Sequence, residues 1–226
     1  MTLIADNLSN TLTQIQQYTQ RAKRDVNSVT LLAVSKTKPI DDIKQAYQAG
    51  QRQFGENYVQ ELAEKASALQ NFANQDIVWH FIGPIQSNKS RLVAEHAHWV
   101  HTIDRIKIAK RLNDQRDSNI TPLQVCLQVN ISGEDSKSGV TAQQISELAQ
   151  YVNDCPQLTL RGLMCIPEKG DSRDSFLAMQ TLFNQLKSQY PTVDTLSMGM
   201  SGDIEQAITC GSTMVRIGTA IFGSRT

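Results

Sequence analysis

Eight short apolar runs recur along the chain, each followed by a stretch of helical periodicity. The runs cover residues 30–36, 53–57, 78–83, 99–103, 123–131, 160–166, 195–199 and 214–217. They are continuous instead of alternating in polarity, which suits parallel strands buried on both faces. Between them, Val59, Leu62, Ala63, Ala66 and Leu69 keep helical spacing. Thr141-Ala142-Gln143-Gln144 reads as a capping box ahead of Ile145, Leu148, Ala149 and Val152. Phe176, Met179, Phe183 and Leu186 mark a further helix, and Gly50 and Gly211 fall where helix C-caps belong. An opening amphipathic helix, with Ile4, Leu8, Leu12, Ile15 and Ala22 near one face, precedes the first unit. Eight βα units predict an α/β fold, a (β/α)8 TIM-type barrel with an extra N-terminal helix. The competing doubly wound sheet would normally have fewer strands, and no G-x-G-x-x-G follows the first run. A barrel of 226 residues is expected to be one domain, 1–226.

Such a barrel carries its chemistry at the C-terminal ends of the strands. Lys36 ends the first run, and Thr37-Lys38-Pro39 cannot prolong that strand far. A lysine placed there is a candidate Schiff-base nucleophile, because burial and a cationic neighbour would lower its amine pKa. Most strand-end lysines simply reach to solvent, so the far end of the chain decides the matter. Ser197-Met198-Gly199-Met200-Ser201-Gly202-Asp203 and Val215-Arg216-Ile217-Gly218-Thr219-Ala220 are two successive strand-to-helix turns of small residues and hydroxyls. They occupy the loops after the seventh and eighth strands, where barrels often hold a phosphate. Ser201 and Gly202 are expected to open a helix over 203–210, whose amides and dipole favour an anion. Gly218 and Thr219 add backbone amides and a hydroxyl. Singly, each is an ordinary cap or turn residue; together they fall at both expected positions.

Arg216 lies between Val215 and Ile217 in the last run, where an unpaired guanidinium is costly to bury. Its partner is either a structural carboxylate or a pyridine ring nitrogen. Lysine, phosphate cradle and arginine together suggest pyridoxal 5'-phosphate. Asn57, ending the second run, either reaches that cofactor's phenolic oxygen or imine, or caps the following helix.

Several strings carry a family resemblance. They are Ala33-Val34-Ser35-Lys36-Thr37-Lys38, Phe54-Gly55-Glu56-Asn57-Tyr58-Val59-Gln60-Glu61, Trp79-His80-Phe81-Ile82-Gly83, Gln86-Ser87-Asn88-Lys89, Ser197-Met198-Gly199-Met200-Ser201 and Val215-Arg216-Ile217-Gly218-Thr219. Over nearly its whole length the chain resembles the pyridoxal phosphate homeostasis protein family. That resemblance implies a monomeric barrel similar to the N-terminal domain of bacterial alanine racemase, with the cofactor on the lysine matching Lys36. It also implies a homeostatic role without well-established turnover. Handover of pyridoxal phosphate to apo-enzymes is part of that expectation. The alternative is a fold-type-III enzyme such as an amino-acid racemase. Racemisation needs acid-base groups on both faces of the carbanion, and the alanine racemase resemblance implies a second base, a tyrosine, from an extra β-domain of a partner subunit. The elements read here consume all 226 residues, leaving no room for that domain, and Tyr58 is not obviously aimed at a substrate Cα. No catalytic residue is therefore assigned.

Other features narrow the function by exclusion. Lys plus Arg (22) balance Asp plus Glu (22), so no global field draws the protein onto nucleic acid or an anionic membrane. The N-terminus lacks a basic leader with an apolar core, and no stretch approaches the about 18 apolar residues of a membrane span. A cytoplasmic location is expected. Cys126, Cys155, Cys165 and Cys210 form no C-x-x-C pair and read as reduced thiols. His96, His98 and His101 straddle a helix end and a strand, which would scatter a metal site. His80 and Phe81 alternate in direction, so one faces the barrel interior while the other packs outward. His80 reads as a core histidine, and Met164 and Cys165 as core.

Overall fold

The computed structural model of the chain describes residues 2–72, 76–134, 138–168 and 172–224. Strands β1 (Thr30–Val34), β2 (Gln53–Glu56), β3 (Val78–Phe81), β4 (Trp99–Ile103), β5 (Leu123–Gln128), β6 (Leu158–Met164), β7 (Thr195–Ser197) and β8 (Met214–Ile217) pair in sequence order. All pairs are parallel, and β8 returns to β1, so the sheet closes. The helices are α1 (Leu3–Arg21), α2 (Ile40–Gln48), α3 (Val59–Leu69), α4 (Ser90–His96), α5 (Ile106–Gln115), α6 (Ile145–Asn153), α7 (Arg173–Gln189), α8 (Ile204–Thr209) and α9 (Thr219–Phe222). The expected (β/α)8 barrel with its N-terminal helix is the fold.

Every expected run holds a strand, but several strands stop early. β1 ends at Val34 and not at Lys36, β2 at Glu56 and not at Asn57, and β7 at Ser197 and not at Gly199. Backbone turns end them: Thr37 takes φ +62°, and Gly199 φ +96°.

Strand parity separates two faces. Register pairs Leu32 with Arg216, Gly55 with His80, Met164 with Ser197 and Ser197 with Met214. These residues face the lumen, because hydrogen bonds join members of strands that are not neighbours and can only cross the interior. The alternate residues, among them Ala33, Phe54, Phe81, Val100, Leu163, Leu196 and Val215, are buried between sheet and helices in the continuous core.

The helices seat as their spacing predicts, with two exceptions. On α6, Ile145, Leu148, Ala149 and Val152 are buried, and on α7, Phe176, Met179, Phe183 and Leu186. The reciprocal Thr141/Gln144 capping box is formed, on a 3-10 turn leading into α6. The first exception is α1, which packs on α2, α8 and α9. Its buried stripe is Leu8, Thr11, Ile15 and Thr19, while Leu12 is exposed. Both stripes have helical spacing. The threonines can be buried because their hydroxyls donate one turn back, to Asn7 O and Ile15 O. The second exception is α3, where Lys65 is buried beside Val59, Leu62 and Leu69, with Ala63 and Ala66 only half-buried. No described helix is long and apolar enough to cross a membrane.

Candidate functional site

The expected site residues converge on the C-terminal mouth of the barrel. Lys36 lies two residues beyond β1, half-buried, and continues the lumen-side alternation of Leu32 and Val34. The backbone around it is tied down: Ser35 N donates to Gly55 O at 3.0 Å, and Lys38 N to Ser35 O at 3.1 Å. Gly218, just past β8, stands against the same strand, since a Cβ there would lie 3.0 Å from Val34 O. Arg216 N donates to Gly199 O at 3.0 Å, joining β8 to the loop after β7. Lys36, the 199–203 loop and the 218–219 turn thus sit side by side. Asn57 follows β2, and its carbonyl lies so near Gly83 that a Cβ there would come within 2.0 Å of it. The N-cap of α3 is Tyr58, which leaves Asn57 outside that role.

The two small-residue loops differ from expectation in one detail. α8 begins at Ile204, and Asp203 is its N-cap, with a carboxylate that turns back to accept from Met200 N at 2.6 Å. Ser201 and Gly202 therefore form a turn ahead of the helix instead of opening it. Gly218 is the N-cap of α9, and Thr219 its first residue. Among the described residues, none accepts a hydrogen bond from the backbone amides of Ser201, Gly202, Gly218 or Thr219, or from the Ser201 and Thr219 hydroxyls. Four amides and two hydroxyls at one rim are suited to a tetrahedral oxyanion.

Below the rim, Arg216 is 5% exposed. Its Nη1 donates to Ser197 Oγ and its Nη2 to Cys165 O, both at 2.9 Å. The carboxylate partner considered from the sequence is not found among the described residues. From Ser197 the chain continues across the lumen: His101 Nδ1 lies 2.9 Å from Ser197 Oγ, and His80 Nδ1 lies 2.9 Å from His101 Nε2. Arg216 can only donate, so Ser197 Oγ accepts from it; the roles of the ring nitrogens beyond depend on the histidine tautomers, and the chain ends at His80 Nε2. That last atom is buried without a partner, while the His80 ring stacks on Trp99 at 5.3 Å. Burial, with Arg216 nearby, depresses His101 to about 3, and burial holds His80 well below the usual histidine range. Both rings are neutral. Sequence spacing offered no signal for this chain, because its members lie on β3, β4, β7 and β8.

A second buried cluster stands behind Lys36. Glu56 is fully buried and Lys65 is 6% exposed. Lys65 Nζ donates to both Glu56 oxygens at 3.0 Å, to Glu61 Oε2 at 2.9 Å and to Ser35 O at 2.9 Å. Ser35 Oγ donates to Glu56 Oε1 at 2.5 Å, and Thr37 N to Glu61 Oε2 at 2.8 Å. Burial raises the Glu56 carboxyl to about 7 against the pull of Lys65. For Glu61 burial pushes upward, but the hydrogen bonds from Lys65 and Thr37 outweigh it and leave it lowered. Sequence reading missed this cluster; the only available sign was a lysine at i+3 from Leu62 on the apolar stripe of α3.

Other assignments are simple. His96 ends α4, His98 Nδ1 accepts from Trp79 N, and His101 lies in the lumen, so the three do not meet. No metal-binding cluster occurs among the described residues. All four cysteines are free and buried, and burial pushes the Cys126 and Cys165 thiols up to about 12, which makes them inert. Lys38 Nζ donates to Ser224 O at 2.7 Å. Lys137 lies outside the described residues.

Known proteins are similar to this chain in sequence and fold. Residues 10–226 match the family model of the alanine racemase N-terminal domain, which sets the class: a barrel of the alanine racemase type. The chain is 57% identical over 230 residues to the pyridoxal phosphate homeostasis protein of Vibrio alginolyticus, covering 100% of this chain and 99% of that protein. It is 55% identical to the protein of the same name from Escherichia coli K12, covering 98% and 97%. The chain belongs to the pyridoxal phosphate homeostasis protein family. Among solved structures, PipY of Synechococcus elongatus without PLP superposes with a TM-score of 0.85 at 36% identity, covering 97% of this chain and 100% of that one. PipY with PLP bound gives 0.80 at 35%, over the same shares. Alanine racemase from Corynebacterium glutamicum gives 0.70 at 16%, covering 98% of this chain and 61% of that one, a likeness of fold alone.

Proposed function

We propose that this chain binds pyridoxal 5'-phosphate at the mouth of its barrel and serves intracellular vitamin B6 homeostasis. Lys36 supplies the amine for a Schiff base with the cofactor aldehyde. Ser201, Gly202, Gly218 and Thr219 hold the phosphate, Arg216 donates to the pyridine nitrogen, and Asn57 lies toward the ring oxygen. The observation that carries the reading is Arg216: a buried guanidinium with no carboxylate partner among the described residues, below a rim of amides without acceptors. An amine, an uncompensated permanent donor and a phosphate-sized set of N–H groups match the aldehyde, ring nitrogen and phosphate of this one cofactor. The names of the full-length relatives and the PLP-bound PipY structure support it.

Bound in this way the cofactor would supply an electron sink, which donation from Arg216 weakens by leaving the ring nitrogen unprotonated. Lumen histidines that are neutral and engaged with each other offer no free base, and Tyr58 is 48% exposed. These features favour holding the cofactor over turnover, so the racemase reading stands second. On this view residues 1–226 act as one cytoplasmic, monomeric domain that stores pyridoxal phosphate and hands it to apo-enzymes.

The test is to incubate the purified protein with pyridoxal phosphate, reduce with borohydride and map the modified peptide. One adduct per chain on Lys36 is expected, and none would refute the reading. In parallel, alanine in deuterated water should exchange its α-proton no more than stoichiometrically with protein; sustained exchange would favour the racemase.

A further inference from the structure

Ser35 and Thr37, on either side of Lys36, are both fastened to the Glu56–Lys65–Glu61 cluster. Glu56 shares the outward parity of Phe54, which puts its carboxylate beneath α3 in the layer between sheet and helices, beside Phe54 and Phe81. An ion pair there is poorly explained by stability, since apolar residues of similar volume are often as stable or more so. What the cluster does hold is backbone. Lys65 takes the Ser35 carbonyl, Glu56 takes the Ser35 hydroxyl, and Glu61 takes the Thr37 amide. Thr37 sits at φ +62°, a left-handed conformation that a β-branched residue keeps only where its surroundings enforce it. The Glu61 carboxylate on the Thr37 amide is such an enforcement.

We infer that Lys65, Glu56 and Glu61 are positioning residues for the Lys36 amine, bracing the 35–37 turn from behind so that the amine is presented at the barrel mouth in one orientation. The inference rests on the reading of Lys36 as the lysine that takes the cofactor. The alternation of the strand makes the division of labour possible. Lys36 lies on the lumen side, while its two neighbours are free to be gripped from the helix side. The geometry around Glu56 fits such a brace: its buried carboxyl, raised to about 7 by burial, meets the Lys65 ammonium and the Ser35 hydroxyl, with Glu61 nearby.

The experiment compares the full-length, cofactor-free protein with two variants. Glu61→Ala frees the Thr37 amide while keeping the Lys65–Glu56 pair, so it retains the fold. Glu56→Gln combined with Lys65→Met removes the charges together and avoids an orphaned buried ion. Each is treated with formaldehyde and cyanoborohydride: the amine adds to the carbonyl, the oxygen leaves as water, and hydride reduces the carbon–nitrogen double bond. Methylation of Lys36 is read by peptide mass against pH and normalised to exposed Lys187. In either folded variant the Lys36/Lys187 ratio should change by about tenfold, since misplacement of a reacting group by ~1 Å carries penalties of that order or more. Glu61→Gln, which keeps an acceptor for Thr37 N, should restore the wild-type ratio. A ratio within about twofold of wild type in Glu61→Ala, or an equal change at Lys187, overturns the inference; if the double variant does not fold, Glu61→Ala decides alone. Borohydride trapping of pyridoxal phosphate is run alongside. A wild type that forms no Lys36 adduct would sink the cofactor reading, and the methylation ratios would still judge the brace.

Discussion

Arg216 of β8 donates to the Ser197 hydroxyl of β7 across 2.9 Å, inside the barrel and away from water. The contact fixes more than one bond. Because the guanidinium can only donate, the serine oxygen accepts from it, and the same hydroxyl lies 2.9 Å from His101 Nδ1, so one side chain ties Arg216 to the pair of lumen histidines.

Replacing Ser197 with Ala should therefore cost more than one hydrogen bond. Arg216 Nη1 and His101 Nδ1 would both be left buried without a partner, and leaving a buried polar group unmade costs about 1–3 kcal/mol. Urea unfolding should show a lower midpoint with an unchanged slope. An unchanged midpoint would mean that the chain contributes nothing to stability.

The same chain predicts acid sensitivity. His101 titrates near the ordinary histidine value of 6.5 when unfolded and at about 3 when folded. Between these values the unfolded state binds the proton and the folded state does not, so stability is full above 6.5 and is lost as pH falls toward 3. The slope is about 1.4 kcal/mol per pH unit for this ring. Stability curves of wild type and His101→Gln from pH 7 to 5 should diverge by that slope, with wild type the steeper. Parallel curves would show that His101 is not held neutral.

Lys36→Ala should leave the fold intact and remove the covalent adduct. The residue stands beyond β1 and is half-buried, so truncation opens no cavity in the core. Circular dichroism reports the fold and borohydride mass mapping the adduct. A dominant adduct on Lys38 or Lys137 in the native protein would move the assignment.

How much of this was legible in the sequence depends on what each feature rests on. The barrel was legible because eight runs of continuous apolar residues, spaced by helical stripes, leave few topologies. That Lys36, Arg216 and the two small-residue loops would gather at one end of the barrel was legible because parallel strand ends open onto one mouth. The strand ends themselves were not, since Thr37 turns at φ +62° with nothing in its identity to announce it. Leu12 looked buried because hydropathy places it on the apolar stripe, but it does not see that the Thr11 hydroxyl, bonded to its own helix, lets Thr11 take the buried position. Lys65 was hidden for the opposite reason. Its charge marked it as surface, and only its partners Glu56 and Ser35, brought in from β2 and the end of β1, make its burial affordable.

The loops after β7 and β8 give the remaining prediction. If the Ser201 and Thr219 hydroxyls and the neighbouring amides receive the phosphate, the double variant Ser201→Ala, Thr219→Ala should bind pyridoxal phosphate more weakly yet bind unphosphorylated pyridoxal almost as wild type does. Hydrogen bonds to a charged group contribute about 1.5–3 kcal/mol each, but both hydroxyls are exposed and water competes for them. The expected loss is therefore at the lower end, about tenfold to a hundredfold in Kd for the pair. The amides of Gly202 and Gly218 remain in place, so binding should weaken without vanishing. Titration of both ligands into both proteins separates the possibilities. A selective loss for the phosphorylated ligand places its phosphate on this rim, whereas an equal loss for both ligands would mean that these loops shape the mouth without gripping the phosphate.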